Sequence, residues 1–262
     1  MKSIRGFRKA VDGRSPLTMV TCYDAWTARL IAGSPIDAVL VGDSVAMVMH
    51  GYDSTLHADV SMMARHTAAV RRGAPQSFIV ADMPFPSHRL GSGPALEAVD
   101  ALVKAGANAV KLEGAAGHLE TVRHIVGSGI PVMGHLGLTP QAVHQLGGYR
   151  VQGREPEAAT RLREEARALA EAGVFALVLE CVPAPLAGVI TAELPVPTIG
   201  IGSGPDCDGQ ILVLQDLLGA QTDFQPRFVR TYMDSKVAIK DALERYAADV
   251  GGRRFPSVEE SF

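Results

Sequence analysis

"AGVFALVLE" (residues 172–180) decides the fold of this chain, because "AGANAVKLE" (residues 105–113) repeats its pattern. The shared form, A-G-x-x-A-x-x-L-E, reads as the end of a helix, a glycine that stops it, and a short strand finishing on glutamate. A looser copy, "AGSPIDAVLVGD" (32–43), finishes on aspartate. The apolar run Val174–Leu179 shows no polar alternation, as expected of a strand buried on both faces and paired in parallel. One βα unit is therefore reused, each time with an acidic residue at the C-terminal end of its strand. Burying a lone carboxylate costs several kcal/mol unless it is paired or protonated, so Glu180 either reaches solvent or serves chemistry.

Outward from these two segments the alternation continues along the chain. Strands are predicted at 17–24, 37–43, 77–85, 108–114, 131–137, 175–181 and 197–204, with a weaker eighth at 211–219. Helical patterns occupy 58–73, 93–106, 118–129, 155–173, 184–194 and 231–250. Eight strands alternating with helices over 262 residues favour a single (β/α)8 TIM barrel, a fold of ~250 residues, over a doubly wound open sheet. No Pro/Gly/Ser linker divides the chain, so one domain is expected across 1–262, with a short extension at 1–16 and a C-terminal helix near 230–250.

Charge and composition narrow the functional classes. A formal net charge of −3 gives no electrostatic case for nucleic acid, and Arg71-Arg72 is too short to form a basic patch. No apolar run approaches the ~20 residues of a membrane helix, and the basic start lacks the apolar stretch of a secretory signal. Cys22, Cys181 and Cys207 are odd in number and lack metal-ligand spacing, which suits reduced thiols. A soluble, cytoplasmic protein is expected.

The strand ends carry the chemistry. Their C-terminal ends hold Tyr23-Asp24, Asp43-Ser44, Asp82, Lys111 and Glu113, His135, Glu180 and Ser203, in strand order, whereas the opposite ends are nearly uncharged, Asp37 excepted. In a barrel the C-terminal end is the catalytic face. Several carboxylates with one lysine repel one another unless a cation joins them, and hard oxygen donors favour Mg²⁺ over zinc. Asp43 and Asp82 are the best-placed ligands, with Glu113 assisting directly or through water. Taken singly, each aspartate reads as a structural residue, since an Asp at a strand end is more often a helix N-cap than a ligand. Lys111 and Glu113 share strand parity and equally suit an ion pair, and His135 is either a core histidine or a site residue. His57, His66, His88, His118, His124 and His144 read as surface residues. "GIGSG" (200–204) is a weak phosphate cradle.

Nine segments resemble the ketopantoate hydroxymethyltransferase family: "VGDS" (41–44), "GYDSTL" (51–56), "HTAAVRRGAP" (66–75), "ADMPF" (81–85), "AGANAVKLEG" (105–114), "GHLGLTPQ" (134–141), "GGYRVQGR" (147–154), "LVLECVP" (177–183) and "DGQILV" (208–213). The resemblance implies a (β/α)8 barrel related to the phosphoenolpyruvate/pyruvate barrels. It implies transfer of a hydroxymethyl group from 5,10-methylenetetrahydrofolate, the co-substrate, to 3-methyl-2-oxobutanoate through an Mg²⁺-stabilised enolate, on the route to pantothenate. It places one Mg²⁺ per site on Asp43, Asp82 and Glu113, the oxoacid on Asp43, Ser44, Asp82 and Lys111, and the proton acceptor on Glu180, where Leu179 and Val182 would desolvate the base. His135 is a possible addition. The resemblance also implies a homo-oligomer, commonly a decamer. Ala46, His50 and Ser203 depart from the family pattern, which has glycine, glutamine and alanine there. The glycine-rich segment 147–154 equally suits a lid or a plain surface loop. An Mg²⁺-dependent oxoacid aldolase or lyase, a phosphate-binding isomerase and a catalytically silent binding barrel are the rival readings.

Overall fold

The computed structural model describes residues 3–12, 15–220 and 226–262. Eight parallel strands, β1 (Leu17–Thr21), β2 (Ala38–Val41), β3 (Phe78–Asp82), β4 (Ala109–Glu113), β5 (Val132–Gly137), β6 (Ala176–Glu180), β7 (Thr198–Ile201) and β8 (Gly209–Leu212), pair in sequence order and close through β1 and β8. The barrel outcome, rather than the open sheet, follows from that last pairing. β8 begins earlier than the sequence suggests. In 211–219 the apolar residues Ile211, Leu214, Leu217 and Leu218 recur at helical spacing, and Leu214–Leu217 is a helix.

Every second residue of a strand points into the barrel. Phe78 and Val80 on β3, Ala109 on β4, Met133 on β5, and Ala176 and Val178 on β6 belong to one buried cluster. This cluster fills the N-terminal half of the barrel. The N-terminal segment contributes the helix Ile4–Val11, whose Phe7 is fully buried and packs 5.4 Å from the ring of Phe78 and 5.0 Å from that of Phe175. Two eight-residue helices escaped the sequence reading: this one and Ala25–Ala32, which is N-capped by Asp24 accepting from Trp26 N–H and Thr27 N–H.

The chain is tightest where β5 and β6 end. Gly137 has φ +93°, and a Cβ there would lie 2.2 Å from the carbonyl oxygen of Glu180. That closeness lets Leu138 N–H donate to the same oxygen at 2.8 Å. Cys181, the residue after Glu180, takes φ 49°, a left-handed conformation that costs a side-chain-bearing residue strain.

The described residues divide into two compact units, Met1–Leu212 and Val213–Phe262. The second contains the helix Ser235–Gly251, capped by Asp234 accepting from Val237 N–H. Within it, Tyr232 N–H donates to Leu217 O, and the ring of Tyr246 stands 5.5 Å from that of Phe255. Val237, Ile239, Leu243, Tyr246 and Val250 of the helix are all exposed.

Gly137→Ala is predicted to cost about 2 kcal/mol or more, because neither the backbone φ nor the Glu180 carbonyl can yield. Gly93→Ala, in a helix where an added Cβ meets nothing within 4 Å, is predicted to be neutral or stabilising by less than about 1 kcal/mol. Urea unfolding of both variants checks the pair, and equal losses would refute the assignment of Gly137 as a close-packing glycine.

Candidate active site

The charged residues of the mouth continue the parity that fills the core. On β3 the inward positions run Phe78, Val80, Asp82; on β4, Ala109, Lys111, Glu113; on β5, Met133, His135; on β6, Ala176, Val178, Glu180. Parallel register sets Asp82 beside Lys111 and Glu113 beside His135. The side chains then meet across strands. Lys111 Nζ lies 3.1 Å from Asp82 Oδ1, 3.1 Å from His135 Nδ1 and 4.0 Å from Glu113 Oε1. His135 Nδ1 is 3.3 Å from Glu113 Oε1, and its Nε2 is 3.2 Å from Glu180 Oε2. Lys111 therefore pairs most closely with Asp82 rather than with its own-strand neighbour Glu113.

Asp43 and Ser44 lie just past β2. Asp43 is buried, and its N–H donates to Asp82 Oδ2 at 3.0 Å, so the two aspartates are joined backbone to side chain. Ser44 Oγ shares a hydrogen bond with the buried Tyr23 hydroxyl at 2.8 Å. All six expected site residues, together with His135, thus come together at one mouth. Asp24 does not; it caps a helix.

The sequence reading missed Gln141 as a site residue, although "GHLGLTPQ" contains it. It is buried in the turn Pro140–Ala142 after β5; its N–H donates to Glu113 Oε2 at 2.9 Å, and its Nε2 donates to Asp43 Oδ2 at 2.8 Å. Proline in that turn was the only local signal. Ser203 acts at the turn that follows β6. Its hydroxyl donates to Leu179 O at 2.8 Å and accepts from Val182 N–H at 3.1 Å, bracketing Glu180 and Cys181.

Electrostatics follow from this crowding. Burial, then the charges of Asp82 and Glu113, push Asp43 well above the usual aspartate range. Burial also raises Asp82, against the pull of Lys111. Glu113 goes the other way: burial raises it, but His135, Lys111 and the Gln141 N–H together hold it low. For Lys111, burial opposes the charge and the surrounding carboxylates outweigh it, raising its pKa. His135 is raised to about 9, since Glu113 and Glu180 outweigh burial and Lys111. Four carboxylates thus face one lysine and one histidine, and negative charge remains in surplus.

Among the described residues no group of three or more His, Cys, Asp or Glu side chains is arranged to hold a metal ion as it stands. The donor set nonetheless fits Mg²⁺, which uses one or two carboxylates completed by water and substrate oxygens rather than a full protein cage. Asp82 Oδ1 has the Lys111 ammonium 3.1 Å away as its partner, and burial with the charges of Asp82 and Glu113 disfavours the ionised form of Asp43, which a cation there would restore. Both Glu113 oxygens are already engaged, which fits a role through water.

Some surroundings differ from expectation. His88 and His118, read as surface residues, are buried, their rings 4.8 Å apart beside the β4 end. Glu180 is not fully desolvated: its side chain is 17 % exposed and abuts His135. Segment 147–154 is fastened by Gln152 N–H to Cys181 O at 2.9 Å. A cavity of about 330 Å³, lined by Leu56, Phe85, Arg89, Glu113 and Gln141, opens onto the cluster. Cys22, Cys181 and Cys207 are free thiols.

Comparison with known proteins agrees with this geometry. The family model described as ketopantoate hydroxymethyltransferase matches residues 2–258. A 3-methyl-2-oxobutanoate hydroxymethyltransferase of Bdellovibrio bacteriovorus is 55 % identical over 262 residues, all of both chains. One from Coxiella burnetii is 51 % identical, covering 97 % of this chain and 96 % of its own. Among solved structures, 2,3-dimethylmalate lyase, a PEP mutase/isocitrate lyase superfamily member, superposes with TM-score 0.65 at 16 % identity over all of this chain and 89 % of its own. Phosphonopyruvate hydrolase, solved in complex with oxalate and Mg²⁺, gives 0.63 at 13 % identity over 99 % and 93 %. These two share the fold.

Lys111→Met leaves the buried carboxylates without their nearest cation and is predicted to cost about 3–5 kcal/mol in urea unfolding with EDTA present. Adding Asp82→Asn should return part of that loss, because the two changes act on one pair. Strictly additive losses would show that Lys111 and Asp82 do not stabilise each other.

Proposed function

Because the chain belongs to the ketopantoate hydroxymethyltransferase family and transfers a hydroxymethyl group to 3-methyl-2-oxobutanoate for pantothenate synthesis, we propose that Glu180 is the base of that reaction and that the carboxylate cluster is its metal site. The observation that carries the proposal is the placement of Glu180. It ends β6, aimed inward, held by His135 and bracketed by Ser203, with the buried Lys111 on the other side of that histidine.

One Mg²⁺ per site would be held by Asp43 and Asp82, with Glu113 acting through water. Bound there, Mg²⁺ supplies Lewis acidity to the keto group of the substrate and lowers the pKa of the C3–H bond. Lys111 and Ser44 bind the substrate carboxylate and fix its orientation. Asp43 and Asp82, held rigid by the Asp43 N–H bond, position the oxoacid from the other side. Glu180 takes the proton from C3, and the electron pair of that bond enters the enolate. His135 faces the other side of the Glu180 carboxyl and keeps it oriented. Water adds its oxygen to the methylene carbon of 5,10-methylenetetrahydrofolate as both C–N bonds of that carbon break and the two folate nitrogens take the water's protons, so that tetrahydrofolate leaves. C3 bonds to the freed formaldehyde-level carbon, and its oxygen takes the proton held by Glu180 to become the hydroxyl group. Segment 147–154, tied to Cys181, serves as a cover for the mouth.

The enzyme works in the cytoplasm on small molecules, with neither nucleic acid nor membrane as partner. Among the described residues no helix is long and apolar enough to cross a membrane. The chain assembles as a homo-oligomer, a decamer by the family resemblance. Support comes from Ile239, Leu243, Tyr246 and Val250, exposed at spacings that put them on one stripe of a helix.

Exchange of the C3 hydrogen of 3-methyl-2-oxobutanoate in D₂O, followed by proton NMR, tests the mechanism. Exchange should require Mg²⁺, stop with EDTA, and fall by about 10²–10⁴ in Glu180→Gln. Exchange surviving the substitution would move the base elsewhere, with His135 next. Leu243→Glu should reduce the sedimenting mass of the assembly, and an unchanged mass would remove the helix from the interface.

A further inference from the structure

Gln141 has no part in the chemistry described so far, yet it joins three strand ends. It is 7 % exposed. Its backbone N–H reaches Glu113 Oε2 beyond β4 at 2.9 Å, and its Nε2 reaches Asp43 Oδ2 beyond β2 at 2.8 Å and Met83 O beyond β3 at 3.0 Å. Both amide hydrogens are therefore used. A flipped amide would set Oε1 against a carboxylate oxygen and a carbonyl oxygen, which only accept, so the network fixes its orientation. Oε1 then faces away from both, buried, and among the described residues it has no hydrogen-bond partner.

An unpartnered buried acceptor is costly, and a turn anchored only for stability needs no such group. The backbone N–H alone would anchor it. The side chain gives its nitrogen to a proposed metal ligand and keeps its oxygen unpartnered and buried at the wall of the cavity that Gln141 lines. The substrate cannot match that oxygen, because 3-methyl-2-oxobutanoate as its anion carries acceptors and no O–H or N–H donor. Two O–H donors can: water on a bound divalent cation, and the hydroxymethyl group that only the product carries.

We propose that Gln141 is a positioning residue of this site, whose amide nitrogen sets the spacing of Asp43 from Glu113 and whose Oε1 accepts a hydrogen bond from an O–H group of the bound ligands. The proposal rests on the carboxylate cluster being a metal site. Gln141 reaches Asp43 across 98 positions of sequence, so it ties the β5 turn to the opposite side of the mouth.

Mn²⁺ binding, read from the free-ion electron paramagnetic resonance signal without substrate, tests it. Gln141→Met keeps the side-chain volume and the backbone bond to Glu113 while removing both amide groups. Its Mn²⁺ affinity should fall by about 10- to 100-fold in a variant that is folded in EDTA by circular dichroism, although the two lost hydrogen bonds lower its melting temperature. The ratio of 2-dehydropantoate to 3-methyl-2-oxobutanoate affinity at saturating Mn²⁺ then separates the donors. A lowered ratio assigns the hydroxymethyl group, and an unchanged ratio with weakened Mn²⁺ assigns the cation's water. Wild-type Mn²⁺ affinity with an unchanged ratio overturns the proposal. If Gln141→Met does not fold, Gln141→Asn, one methylene too short to reach Asp43, should show the same weakening, and wild-type affinity there overturns it equally. Wild type and Asp43→Asn are titrated alongside. A wild type that binds no Mn²⁺ overturns the metal site itself, whereas tight wild-type binding unaffected by the Gln141 variants overturns only the role of Gln141.

Discussion

Surplus negative charge at one end of a closed barrel is the constraint on which the rest of the structure depends. Asp43, Asp82 and Glu113 are nearly inaccessible, Glu180 stands at their edge, and among the described residues Lys111 and His135 are the ion-pair partners that oppose them. Such a cluster is stable only if every carboxylate oxygen is paired or left waiting for a cation. Lys111 answers by standing within reach of Asp82, His135 and Glu113 at once. Asp43 is left with an amide rather than a charge beside it. Burial and the charges of Asp82 and Glu113 press that corner toward protonation, and a divalent cation placed there would relieve the same pressure.

The proposed base is governed by backbone more than by charge. Glu180 closes β6, and the chain must then turn within one residue, which forces Cys181 into the left-handed region. Strain of that kind persists only where neighbours over-determine it. Gly137 lets β5 press against the Glu180 carbonyl, and Ser203 holds the residues on either side. The serine at 203, where the family resemblance has alanine, therefore adds two hydrogen bonds to the turn that aims the proposed base and removes none of the proposed catalytic groups.

The barrel was legible because its units are local. A helix, a glycine and an apolar strand recur within some twenty residues, and their repetition needs no knowledge of tertiary contacts. The acidic strand ends were legible for the same reason, since inward parity runs unbroken from Phe78 through Val80 to Asp82. What stayed hidden depends on partners distant in sequence. The close pairing of Lys111 with Asp82 is a matter of register between strands, whereas sequence offers Glu113, two residues away. His88 and His118 look like surface histidines until the loops after β3 and β4 fold over each other. Gln141 is polar, sits in a turn and reads as solvent-facing; only the closed barrel brings Asp43 to it. The helix Ala25–Ala32 was missed because it is short and its apolar face is narrow, with Ala28 and Ile31 its only buried residues.

Each strand divides its labour within a single step of two residues. Val80 is core and Asp82 is site; Ala109 is core and Lys111 is site; Met133 gives way to His135, and Val178 to Glu180. Below that line the barrel is filled with apolar side chains and closed by Phe7, so most of the burial that favours folding lies there. Above it the same inward positions carry charge that burial penalises. A register slip of one residue on any of these strands would turn the core outward and bury the wrong face. The hydrophobic half therefore does more than stabilise. By fixing the register of eight strands, it sets how far apart Asp82, Lys111, Glu113, His135 and Glu180 stand, and that spacing is what the chemistry uses.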